Sequence, residues 1–182
     1  MLKPIFAFLI ALFITNTINA QLKSIANELT ACNKYTENRT GTKINFPNSK
    51  NFLRLPNKWE GSFQGDNPRL IAQKTTDSIS FFVKAYQVWD TFPKGELFEF
   101  LKEDNSAFYD FEYLNHHFLI TKDLEGDICK IIWHVDESIE FKNRWMWTFE
   151  FKINSITNNS NILCDYHSII IQIMKEHDSI KN

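Results

Sequence analysis

Glycine is scarce in this chain, five in 182 residues, and none of the five sits in a loop that could cradle a phosphate. No serine elbow and no paired-cysteine or His-Glu-x-x-His zinc signature occurs either, so the common hydrolase and metalloenzyme templates find no match. Arginine is equally sparse at four residues, while isoleucine, lysine and asparagine abound. That bias reflects A/T-rich coding more simply than any binding chemistry, and the asparagine-rich patches need no function. Positive charge is not in excess: the formal net charge is -2. A chain with that balance has no electrostatic attraction for nucleic acid or for an anionic membrane surface, and neither is expected as a partner.

Long apolar runs are also few. The one candidate, Ile5 to Ile14, is half the length needed to span a bilayer, follows a single charge at Lys3, and gives way to polar residues before Ala20. Residues 1–20 therefore read as a secretory signal peptide cleaved after Ala20, which moves the net charge to -3 and leaves 162 residues, suited to one domain. "LTAC" at Leu29 to Cys32 has lipobox letters, but polar residues separate it from the apolar run and argue against lipidation. The expected product is secreted or periplasmic, monomeric and not inserted in a membrane. Three cysteines allow at most one internal bridge and leave one thiol. Cys129 lies in an apolar alternation and reads as a buried small side chain, which makes Cys32 with Cys164 the pair to test.

What is present is aromatic: seventeen Phe and five Trp, enough for a substantial core. Residues 21–50 read as an N-terminal helix, its stripe Leu22, Ile25, Ala26, Leu29 and Cys32 packing only loosely, then a linker with a brief strand at 43–46. Residues 51–177 form the domain and 178–182 a tail. Strands are expected at 52–55, 69–74 and 78–89, then a helix over 94–109 with Leu97, Phe98, Leu101 and Phe108 on one side. A meander of three long strands, 112–121, 127–135 and 143–153, comes next. In the last strand Trp145, Trp147, Phe149, Phe151 and Ile153 share one face, and Thr148 belongs to the other, polar one. An amphipathic helix at 162–176, with Ile162, Tyr166, Ile169, Ile170 and Ile173 in a stripe, closes the chain over that aromatic face. The class is α+β: one antiparallel sheet with a central helix and a C-terminal helix packed on it.

"LRLPNKW" at Leu53 to Trp59, the strand "SISFFVKAY" and the two helices together resemble the PsbP-like fold family over residues 45–177. The resemblance implies an α/β/α sandwich in which Trp59 folds back beneath the sheet as a core plug. The family includes extrinsic photosystem subunits, nuclear-transport regulators and bacterial exported domains, and no site of theirs carries over residue by residue. An architecture of this kind does not name a function.

Histidines supply the only residue-level chemistry. If "KDLEG" is a turn that keeps like-numbered parity on one face, His116 falls opposite His134, with Asp136 and Arg144 nearby, a candidate cluster for a metal or an anion. No third ligand is fixed by sequence, so neither metal nor cofactor is expected. The leading reading is a non-catalytic exported module that binds a protein partner. The alternatives are a small metal-dependent or hydrolytic enzyme and an immunity-like inhibitor of a secreted toxin.

Overall fold

A computed structural model describes residues 3–32, 41–65, 69–76, 79–90, 96–104, 107–123, 128–135, 144–153 and 160–180. The elements run α1 (Lys3–Ala31), β1 (Lys43–Asn45), β2 (Phe52–Arg54), β3 (Trp59–Gln64), β4 (Arg69–Thr76), β5 (Ile79–Asp90), α2 (Glu96–Asp104), β6 (Phe108–Tyr113), β7 (His116–Lys122), β8 (Ile128–Val135), β9 (Arg144–Lys152) and α3 (Ser160–Ile180). β1 and β2 form a small ribbon. The other seven strands make one antiparallel sheet in the order β3-β4-β5-β9-β8-β7-β6. Each half is a run of hairpins, and the halves join where β5 pairs with β9, Ala85 opposite Phe149. Because β5 lies inside the sheet and β6 at its far edge, the connection between them must cross β9, β8 and β7. That crossing puts α2 on one face of the sheet, where Leu97 and Phe98 pack with Leu119 and Ile132.

α1 and α3 cover the opposite face, which holds the main core. Trp133, Phe149 and Phe151 point into it and are fully or nearly fully buried, as are Tyr166, Ile169, Ile170 and Ile173 of α3. The α+β class and the packing of helices on an antiparallel sheet are therefore as the hydrophobic periodicity requires. α1 is not loosely attached. Leu22, Ala26 and Leu29 are at most 1 % exposed, and Cys32 bonds to Cys164 at the start of α3. The helix also runs unbroken through residues 20 and 21 rather than beginning at Leu22. Cys129, the remaining thiol, is buried.

Trp59 answers to both packing and hydrogen bonding. Pro56 ends the preceding strand, and its carbonyl accepts from the Trp59 amide across a turn with Lys58 at φ 65°. The indole is 1 % exposed, stands edge-on to Tyr166, and donates from Nε1 to Asp165 Oδ2 at 2.8 Å. Lys74 Nζ meets the same oxygen at 2.6 Å, and Tyr166 donates its hydroxyl to the Lys152 carbonyl. One acidic side chain of α3 thus satisfies two groups from the sheet.

Three expectations need correcting. The helix expected over 94–109 ends at Asp104, and Phe108, counted in its apolar stripe, instead opens β6. The single strand expected at 112–121 is the hairpin β6–β7, turned by Leu114 (φ 50°) and Asn115 (φ 65°), both left-handed as a two-residue type I′ loop requires. Residues 59–64, for which no strand was expected, form β3, which Trp59 opens paired to Lys74. A fourth difference concerns Thr148, expected on a polar, open face. It is 5 % exposed because β9 is central: Tyr86 and Ile132 flank it in register, and the Tyr86 phenol meets its side chain.

Phe149→Ala should cost about 3–5 kcal/mol and Thr148→Ala about 1 kcal/mol in denaturant titrations, the first deleting a buried ring and the second a smaller buried group. Equal losses at the two positions would contradict the packing. Replacing Cys32 and Cys164 together by serine should remove about 2–5 kcal/mol, since the bridge closes a loop with a sequence separation of 132. No loss would mean that the apolar stripe alone holds α1. Burial pushes Tyr113 up to about 12, and burial, then the Glu150 carboxylate, pushes Tyr86 up to about 12. A raised pKa means that the fold favours the neutral phenol. The associated stability should be whole below about pH 10 and fall as the pH rises toward 12, with tyrosinate absorbance lagging that of free tyrosine. A stability flat from pH 9 to 12 would refute this assignment.

Candidate functional site

The ladder between β7 and β8 pairs Phe118 with Trp133 and Leu119 with Ile132. Opposite residues therefore differ in number parity, one step away from the register that the turn "KDLEG" suggested. His116 shares the face of Phe118 and Trp133, whereas position 134 belongs to the face of Leu119 and Ile132. The two are not opposite each other. Asp136 lies outside the described residues, and Arg144 pairs in the ladder with Asp90 on β5. The candidate cluster is dispersed. His116 packs edge-on to Trp133 and lies 3.8 Å from Asp178 near the end of α3. Among the described residues no group of three or more His, Cys, Asp or Glu side chains is arranged to hold a metal ion.

A different place combines an opening with reactive backbone. Between α1 and β6 runs a groove of about 390 Å³, with Asn27 and Thr30 on one wall and Tyr109, Asp110, Glu112 and His117 along the other. Among the described residues β6 is an edge strand, bonded within the sheet to β7 alone. In a two-residue hairpin the flanking pair, here Tyr113 and His116, exchanges hydrogen bonds, and alternate residues back along the strand turn their amides away from the partner. Phe108, Asp110 and Glu112 are those residues. Phe108 bears this out, for its N–H bonds not to β7 but to Asn19 Oδ1 of α1 at 3.1 Å. The next two outward positions, Asp110 and Glu112, line the groove.

The electrostatics of the groove are graded. Asp110 Oδ2 holds Lys102 of α2 at 2.7 Å, and its Oδ1 is 3.8 Å from His117 Nε2. Hydrogen bonds to Asp110, then to Glu99, hold the Lys102 ammonium above the ordinary lysine range. Glu112 is exposed and makes no ion pair among the described residues. The opposite face of the strand carries Tyr109 and Phe111, stacked with centroids 6.4 Å apart and half-buried against the core. Beyond the hairpin pair, Tyr113 places its hydroxyl 2.8 Å from His167 Nδ1, in the interior, which ties the end of β6 to α3. Among the described residues the edge is thus fixed at Phe108 and Tyr113 and open between them.

This feature was hidden in the sequence because residues 108–121 read as the end of a helix followed by one strand. Asn115, a residue that tolerates the left-handed turn conformation, was the available signal for a hairpin. No family model matches the chain, and neither a curated protein nor a solved structure matches it.

Proposed function

We infer that this chain is an exported, non-catalytic domain of PsbP-like architecture that acts as a binding or accessory module for a protein partner. The observation that carries this reading is the groove beside β6, where open backbone amides, acidic side chains and half-buried aromatics occur together on a well-anchored strand. A site of that composition suits a protein segment better than a small metabolite, because pockets for small molecules are concave and mostly apolar. Export is supported by the Cys32–Cys164 bridge, since such bonds persist in oxidising compartments. Among the described residues no helix is long and apolar enough to cross a membrane.

A photo-crosslinking residue placed at Glu112 in cells, compared with one at Gln73, tests the reading. Gln73 is exposed on β4, at the far end of the sheet. A discrete protein adduct at position 112 and none at 73 is expected. Adducts of equal yield at both positions, or at neither, would refute it.

A further inference from the structure

We propose that the outer edge of β6 binds an extended peptide segment by strand addition, and that the segment it prefers alternates basic and apolar residues. This deepens the partner-binding reading and rests on it. Asp110 and Glu112 turn their N–H and C=O groups outward into the groove, so two residues of the edge can exchange main-chain hydrogen bonds with an incoming strand. The strand β6 is held along its length by the ladder to β7 and at Tyr113 by His167, so the edge is ordered before a partner arrives. Little ordering cost then falls on the protein side.

Side-chain chemistry sets the preference. An added strand directs alternate residues to opposite faces of the sheet. On one face they meet Asp110, Glu112 and His117, where the carboxylate of Glu112 has no cation among the described residues. Lysine or arginine there gains a cross-strand charge pair, and glutamate loses by like-charge repulsion. On the other face they meet Tyr109 and Phe111, whose half-buried rings accept an apolar side chain. The same charges argue against a second copy as the occupant, because two β6 edges laid together would set Asp110 and Glu112 against Asp110 and Glu112. Where the leader is cleaved after Ala20, Asn19 leaves with it, and the Phe108 amide joins the open edge.

The test uses the full chain with two synthetic peptides capped at both ends, one alternating lysine and valine and the other glutamate and valine. The lysine peptide should bind about tenfold tighter at low salt, and Glu112→Gln should weaken it about threefold, the range for cross-strand charge pairs. Amide hydrogen exchange at Asp110 and Glu112 should slow when the peptide is bound. Two backbone-methylated lysine peptides, methylated on the lysines or on the valines, separate strand addition from adhesion of charge: one pattern should abolish binding and the other preserve it. Preference for the glutamate peptide, equal effects of the two methylation patterns, unchanged exchange at both amides, or no binding at millimolar peptide would each overturn the proposal. A crosslinked partner at position 112 together with unchanged exchange would remove strand addition and leave the partner-binding reading. Slowed exchange without any crosslinked partner would do the reverse.

Discussion

The aromatic face of the sheet is the constraint on which the rest of the molecule depends. Trp133, Phe149 and Phe151, joined by Phe118 from β7, present a continuous apolar surface that water cannot cover without a large loss of stability. Covering it needs a long stripe, and α3 supplies one from Ile162 to Met174. Once α3 lies there, its neighbours follow. α1 fills the flank beside β6 and β7, Cys164 lies within bonding distance of Cys32, and Asp165 sits beneath Trp59. Even the small ribbon is seated by α3, through Gln172, which accepts from the Arg54 amide and donates to its carbonyl.

The two faces of the sheet are unequal for a topological reason. α2 exists on its side only because the chain must travel from β5 to the far edge, and nine residues of helix cover a few strands, not seven. The uncovered part of that face is therefore managed with polar side chains: Tyr86 donates to Glu150, and Lys130 lies 3.8 Å from the same carboxylate. Among the described residues the far edge is flanked by α1, and α2 reaches only its face, through Lys102 and Asp110. Its partial cover leaves the groove, so the same connection that forces α2 across the sheet also leaves β6 as the terminal strand.

How much was legible depended on whether a signal was periodic or local. The parity of 145–153 and the stripe of 162–173 are long and regular, and they located β9, α3 and the face between them. The sequence offered Cys32 with Cys164 only as the pair to test, because Cys129 sat in a strand alternation while Cys32 also fitted the apolar stripe of α1, and the structure shows the bond. Local features fared worse. Phe108 fits a helical stripe as well as a strand, and only the pairing with Thr121 decides it. The turn at Leu114 and Asn115 lacks glycine, so two strands looked like one. Register across the β7–β8 turn changes face with a single residue, and the histidine cluster rested on that one step. Thr148 looked exposed because its polarity was read without knowing that β9 would be central. The groove at β6 was invisible for the sum of these reasons: an edge is a property of strand order, which no local pattern encodes.

The bridge between Cys32 and Cys164 also decides how the molecule would carry a mechanical load. The closed covalent ring that it makes contains β1 through β9 and α2, every strand among the described residues, while α1 and α3 leave the ring as its two handles. Tension applied to the ends of the chain runs down α1, through the two sulfur atoms and out along α3. The strands stand outside that path, so the sheet cannot be unzipped by pulling while the bond is intact.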